Sequence, residues 1–427
     1  MFCLNFVNLR IMKTVIKNIS KLVQTEVNDI KWKAGNDMNS VNTIDDAYIE
    51  IKDGIITDFG NMNKWKGISD WNQTTIIDAE DGMVFPTYCD SHTHLVFPES
   101  RENEFNDRLN GISYEEIAKN GGGILNSAKK MQTIDEDKLF EDSLNRLNKL
   151  IHLGTGAIEI KSGYGLNIDS ELKILRVIKK LKEKSPIKIK STFLGAHAIP
   201  LEYINRKELY LESIIKTMLP IIKKEDLADY IDVFCEKGYF NTDDLIQILQ
   251  AGKNYGLKGK THVNQFNSIG GVKASIENGA LSVDHLEIMK EEDFKAFEGS
   301  DCIATLLPSC SFFLGIPYSP AKEFIAKNIP FNLASDYNPG SSPSGNMNFV
   351  ASLGSIKLKM NAEQVINSTT INAAYAMQLE KELGTISVGK KANLFITKPI
   401  PSYQYLHYSF SENLISKVII EGKEFKE

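Results

Sequence analysis

The spacing of apolar and polar positions changes twice along this chain of 427 residues. Over 14–16, 47–51 and 54–59, apolar residues alternate with polar ones or form short blocks, the pattern of half-buried strands. Turn-forming triplets, Lys52-Asp53-Gly54 and Glu80-Asp81-Gly82, punctuate this stretch. Strand-like texture returns at 384–394 and 414–422. Between them, short segments at 87–90, 156–161, 188–195, 230–234, 260–263, 282–286, 302–307 and 331–335 read as strands. Helical patterns such as 137–151, 169–184, 243–255 and 363–377 fall between these runs, with Asp169 and Thr242 as candidate N-caps.

Eight strands alternating with helices predict an α/β fold of the (β/α)8 TIM-like barrel type rather than an open doubly wound sheet. The β-rich ends predict one small β-sandwich domain, discontinuous in sequence and assembled from both termini. The chain then divides into an extension or alternative start over 1–11, sandwich over 12–86, barrel over 87–380 and sandwich again over 381–427. No internal repeat or low-complexity segment interrupts this plan.

Composition narrows the function. Hydrophobic content of 42% and charged content of 24% are ordinary for a globular protein, and the net charge of −6 argues against a nucleic-acid or anionic-membrane surface. No run of about 20 apolar residues spans a bilayer. The first ten residues lack the basic start and long apolar centre of a signal peptide. Five scattered cysteines without a CxxC predict buried thiols and a cytoplasmic location. The partner expected is a small molecule, not nucleic acid or membrane, and a homodimer is the assembly this reading allows.

The chemistry begins with His92 and His94. Residues i and i+2 of an extended segment project to the same side, so the two imidazoles can grip one cation. The pair alone is a weak signal. It gains weight because the other reactive side chains fall at the C-terminal ends of predicted barrel strands, where such enzymes carry their sites. Lys161 ends the second strand, His197 follows the third, His262 lies in the fifth, His285 ends the sixth and Asp336 follows the last. Five of the seven histidines thus converge, while His152 and His407 read as structural. Imidazole and carboxylate from His92, His94, His262 and Asp336 suit zinc or iron with a position left for water.

Arg101 sits in a charged run just after the histidine pair. That run reads either as a solvated loop or as a guanidinium held over a substrate carboxylate. Tyr164 lies between two glycines, and 335–343 is a turn-rich loop. The glycine run at 121–123 neither follows a strand nor precedes Lys-Ser/Thr, which excludes a nucleotide phosphate loop there.

Several segments together carry a resemblance: SHTHLVFPESRENEF (91–105), GISYEEIAKNGGGIL (111–125), KSGYGL (161–166), TFLGAHAIP (192–200), DVFCEKGYF (232–240), VDHLE (283–287) and SDYNPGSSP (335–343). With them the chain resembles the amidohydrolase superfamily and, within it, the imidazolonepropionase family of histidine degradation. The resemblance implies one divalent or trivalent metal ion per subunit, zinc or iron, on His92, His94, His262 and Asp336. It implies that Arg101, Tyr164, His197, Gln265 and Ser341 contact a carboxylate-bearing imidazolone substrate, and that Tyr164, Asn338 and Gly340 contact the opened product. In the implied reaction a metal-activated water attacks the ring carbonyl of 4-imidazolone-5-propanoate. Asp336 moves the proton, His285 stabilises the oxyanion, and N-formimidoyl-L-glutamate is released. Where some members carry Glu, this chain has Gln265, whose amide can orient water or substrate but cannot accept a proton at neutral pH. Deamination of a cyclic amidine or aminopyrimidine is the alternative within the same fold. Lys161 as a carbamylated bridge between two metals stands against the single metal that the resemblance implies.

Overall fold

Strands at both ends of the chain meet in one sheet beside a barrel formed by its middle. The computed structural model describes residues 12–112, 116 and 122–426. The predicted extension over 1–11 and Gly121 of the glycine run lie outside the described residues.

Strand β1 (Lys13–Val23) pairs antiparallel with β2 (Thr43–Lys52), and β2 with β3 (Ile55–Asn61). Asp53 and Gly54 join the hairpin with φ of 51° and 81°, the two-residue turn that an Asp-Gly pair favours. Strands β4 (Thr74–Asp78) and β5 (Met83–Pro86) lie parallel to β1.

One residue after β5 the barrel begins with β6 (Tyr88–Thr93). It continues through β7 (Thr155–Lys161), β8 (Lys188–Ala196), β9 (Tyr230–Cys235), β10 (Lys258–Val263), β11 (Ser282–His285), β12 (Ile303–Leu306) and β13 (Phe331–Leu333). Neighbours pair in chain order and all are parallel. Helices cover the outside, so both faces of the strands are buried; in β7 the apolar Ile158 and Ile160 alternate with the buried Glu159 and Lys161. Past β13 the chain closes the ring against β6: the Asp336 N–H donates to the His92 carbonyl at 3.0 Å, and the His94 N–H donates to the Tyr337 carbonyl at 2.8 Å. The fully buried Asp90 carboxylate accepts the Ser335 N–H at 3.0 Å across the same seam, and burial pushes its pKa up to about 7.

The chain then returns to the first sheet. Strand β14 (Leu394–Thr397) pairs antiparallel with β5, followed by β15 (Ile415–Ile420) and β16 (Lys423–Glu424). The β3 edge meets the segment that leads into β14, with the Ile56 N–H donating to the Lys390 carbonyl at 2.9 Å. Ile16, Ile19, Leu22, Ile49, Ile56 and Ile419 form the core of this sheet. Phe395 stacks on Phe85 at 5.1 Å and meets Tyr88 at 5.1 Å, coupling this sheet to the start of the barrel.

Four local expectations are corrected. Residues 384–394 do not form one strand: Gly384 and Gly389, with φ of 87° and 91°, turn the chain, and only Ile386 and Lys391 make isolated bridges before β14 starts. The helix expected over 363–377 is two, Ala362–Thr369 and Ile371–Ala376, broken at Thr370 by a ψ of −91°. Asn167, not Asp169, caps the helix Ile168–Lys184. Asn241, not Thr242, caps Thr242–Asn254, where Asp244 completes a reciprocal box. Among the described residues no helix is long and apolar enough to cross a membrane.

Candidate active site

The C-terminal ends of β6, β10 and β13 bring His92, His94, His262 and Asp336 together, all nearly or fully buried. Asp336 Oδ1 stands 3.6 Å from His92 Nε2 and 3.7 Å from His94 Nε2, and the Nε2 atoms of His94 and His262 are 3.4 Å apart. His92 Nε2 has no hydrogen-bond partner among the described residues. Donor atoms this close and this poorly matched to one another fit a shared cation. The outward nitrogens face acceptors: His92 Nδ1 meets Asp284 Oδ2 at 2.7 Å, His262 Nδ1 faces Asp232 Oδ2 at 3.0 Å, and His94 Nδ1 lies 3.4 Å from the Ser162 carbonyl. Metal-ligating imidazoles are oriented by acceptors in this way. Burial, reinforced by the Lys161 ammonium and the neighbouring imidazoles, holds all three histidines well below their usual pKa, leaving them neutral as metal ligands must be. Burial pushes Asp336 up to about 6, against the pull of His285, Asn338, Cys310 and Ser341.

Beneath this donor set lies a dry charged layer that sequence reading missed. Lys161 Nζ contacts Glu159 at 2.7 Å, Asp232 at 2.8 Å and Asp284 at 3.5 Å, and Lys260 bonds the other oxygen of Glu159. All five side chains are fully buried. Burial alone would lower the Lys161 pKa, but Asp232, Glu159 and Asp284 raise it. Its ammonium is therefore the anchor for the carboxylates behind His92 and His262. With Glu159, Asp232 and Asp284 around it, the Lys161 amine is engaged within this layer.

The walls come from the segments that follow the barrel strands. Tyr164 and His197 flank His94, with ring centroids 5.6 and 5.2 Å away. His197 Nδ1 donates to the Gly163 carbonyl at 2.9 Å, and burial pushes its pKa down to about 4. The Tyr164 loop is held by Glu171, whose carboxylate accepts main-chain N–H groups of Gly163, Gly165 and Leu166 at 3.0, 2.6 and 3.0 Å. Nothing in the helical pattern around Glu171 distinguishes it in advance.

Gln265 follows β10 into the cleft, its amide donating to Cys310 Sγ at 3.4 Å. In the 335–343 loop, the Asn338 carbonyl oxygen accepts from Gly340 N and Ser341 N at 2.8 Å each. Its amide nitrogen donates to the Asp336 carbonyl and Ser341 Oγ. Asn338 thus braces the loop as well as lining the cleft. Ser341 Oγ reaches Asp336 Oδ2 at 3.2 Å. Gly340 lies against Arg101: a Cβ there would stand 1.1 Å from Arg101 Nη2. Arg101 is nearly buried, with Nε 3.4 Å from Glu104 Oε2.

His285 ends β11 with φ of 86°, followed by Leu286 at 65°, a left-handed pair that non-glycine residues adopt only where the surroundings impose it. Ser319 Oγ donates to the His285 carbonyl at 2.7 Å, and His285 Nδ1 stands 3.4 Å from Glu287 Oε1. Burial works against charge on this ring, but Glu287, Asp336 and Asp284 outweigh it and raise the pKa. The cleft has an empty volume of about 510 Å³ and is lined by His94, Arg101, Tyr164, His197, His262, Gln265, His285, Asp336, Asn338 and Ser341, with apolar sides including Phe234 and Leu314. Of the seven histidines, His152 and His407 lie elsewhere; His407 is buried beside the short helix end at Tyr408.

Comparison with known proteins agrees with this arrangement. Residues 83–425 match the model of the Amidohydrolase family. A Flavobacterium johnsoniae protein named imidazolonepropionase is 53% identical over 412 residues, which is 96% of this chain and 100% of that one. The protein of the same name from Christiangramia forsetii is 52% identical with the same coverage. Among solved structures, guanine deaminase of E. coli superposes with a TM-score of 0.74 over 97% of this chain and 99% of that chain, at 12% identity, a likeness of fold alone. Matched over 96% of its length by relatives at this identity, and by the family model from β5 onward, the chain belongs to the amidohydrolase family and, within it, to the imidazolonepropionases.

Proposed function

We propose that this cleft hydrolyses the ring C–N bond of 4-imidazolone-5-propanoate to give N-formimidoyl-L-glutamate, a step of histidine degradation, using one zinc or iron ion per subunit. The observation that carries this reading is a buried guanidinium lining the same cleft as a His/His/His/Asp donor set. A metal-dependent hydrolase needs the second of these, and a substrate with a carboxylate tail explains the first.

His92, His94, His262 and Asp336 would hold the ion, which would supply Lewis-acid activation of water. Arg101 pairs with the propionate and fixes the ring over the donor set. Tyr164 and His197 flank the ring, and Gln265 orients it by hydrogen bonding without taking a proton. Asp336 accepts the proton of the attacking water as the new C–O bond forms at the ring carbonyl carbon. His285 donates to the oxyanion that develops there. The C–N bond then breaks, and the proton held by Asp336 passes to the departing ring nitrogen, which balances the hydrolysis. Asn338, Gly340 and Ser341 keep Asp336 and Arg101 in register and border the opened product. Free buried thiols at Cys89, Cys235, Cys302 and Cys310 support work in a reducing compartment, the cytoplasm.

The test is turnover of the imidazolone, followed by loss of its absorbance with the product identified by mass spectrometry, before and after chelation. Release of ammonia with the ring intact would instead assign a deaminase.

A further inference from the structure

On the far side of the His285 ring lie Glu287 and Cys310, two side chains to which the proposed reaction gives no part. His285, Glu287 and Cys310 each offer one donor atom, and these atoms lie within 4.8 Å of one another. The end of β11 supplies the first two and the helix Pro308–Leu314 the third, so the fold and not the sequence brings them together. All three are at least nine-tenths buried. Glu287 Oε1 faces His285 Nδ1 and accepts from Ser311 Oγ at 3.3 Å, but Glu287 Oε2 has no hydrogen-bond partner among the described residues. A buried carboxylate oxygen left unmatched costs about 1–3 kcal/mol or more, and a cation would remove that cost.

We propose that His285, Glu287 and Cys310 form a second metal site, inhibitory and specific for thiophilic divalent ions such as zinc supplied beyond the catalytic equivalent. A thiolate, an imidazole and a carboxylate favour zinc or cobalt over magnesium or calcium. Binding displaces the Cys310 thiol proton to solvent, breaks the Gln265–Cys310 contact and takes the His285 nitrogen that now faces Glu287. The Gln265 amide, which borders the substrate, then loses its anchor on Cys310. The inhibition rests on the proposed part of Gln265 in turnover; the binding does not.

Cobalt titrated into full-length protein already holding one zinc equivalent separates the two. The first site offers only nitrogen and oxygen donors, so zinc loading alone tests that set by stoichiometry. A further cobalt equivalent is expected to bind with the near-ultraviolet absorption of a cobalt–thiolate bond, and turnover should fall in step with it. Cys310→Ser should lose the band, and Glu287→Gln should keep it while weakening cobalt binding by about tenfold or more. Absence of the band at saturating cobalt in the unmodified protein overturns the proposal. So does a band of equal intensity in Cys310→Ser, which would assign another thiol. If Cys310→Ser does not fold, undiminished cobalt affinity in Glu287→Gln overturns it equally.

Discussion

Replacing Gly340 with alanine puts a methyl group where the Arg101 guanidinium now lies. The added carbon would sit 1.1 Å from Nη2, 2.1 Å from Cζ and 2.7 Å from Nε. Gly340 does not have a positive φ, so alanine brings no left-handed strain and the effect falls on Arg101. Ordinary contact between heavy atoms is about 3.5–4 Å, so the guanidinium must retreat by about 2 Å or more. Misplacing a positioning group by about 1 Å can cost 10²-fold in rate, and kcat/KM should therefore drop by about 10²-fold, or about 3 kcal/mol. Most of the loss should appear in KM, because the guanidinium holds the tail and not the reacting carbonyl. The assay is imidazolone consumption at varied substrate concentration, with metal content and thermal melting measured alongside. An unchanged KM in a folded, metal-replete Gly340→Ala protein would refute the carboxylate clamp.

Three further outcomes are expected. Asp284→Asn removes the carboxylate 2.7 Å behind His92 and should weaken metal binding about 10–100-fold in chelator competition; equal affinity would sink its orienting role. Glu171→Ala strips acceptors from three main-chain N–H groups and should lower stability by about 2 kcal/mol or more in denaturant titration, with a loss of turnover as the Tyr164 loop moves. The His407 ring is buried with no hydrogen-bond partner for either nitrogen among the described residues, and burial pushes its pKa down to about 4. The unfolded chain, with a histidine pKa of about 6.5, binds that proton first, so stability is full above about pH 6.5 and falls as pH drops toward 4, by about 3 kcal/mol. His407→Leu should flatten melting temperature against pH over that window; an unchanged slope would dismiss the ring as its source.

Much of the barrel was legible because short strand-like segments recur in regular order, with helical patterns of longer period between them. The strands from β7 to β12 begin and end close to their predicted limits for this reason. The caps were harder: Asn167, Asp169 and Ser170 all carry acceptors, and only the φ/ψ of the first turn chooses among them. The break at Thr370 lies inside an unbroken apolar pattern, so no periodicity marks it. Around 384–394 the alternation is real, but two left-handed glycines convert it into turns. Within the site, the proposed ligands were readable from histidines at strand ends. Glu159, Asp232 and Asp284 were not, because a carboxylate in a strand looks solvent-facing until the inside of a barrel is known to be filled by lysines. Cys310 was invisible for a related reason, since its neighbours come from β11 and from the seam.

That seam has a consequence for how the molecule comes into being. The main-chain bonds that close the ring join His92 to Asp336 and His94 to Tyr337, and Asp90 reaches Ser335 across 245 positions of sequence. During synthesis, the histidine pair emerges early and must wait for the final barrel strand before the carboxylate arrives. Bringing such distant segments together carries a loop-closure cost that short-range contacts do not. The proposed four-donor set is therefore complete only in a chain whose ring has shut. An ion bound on it would tie the first barrel strand to the last.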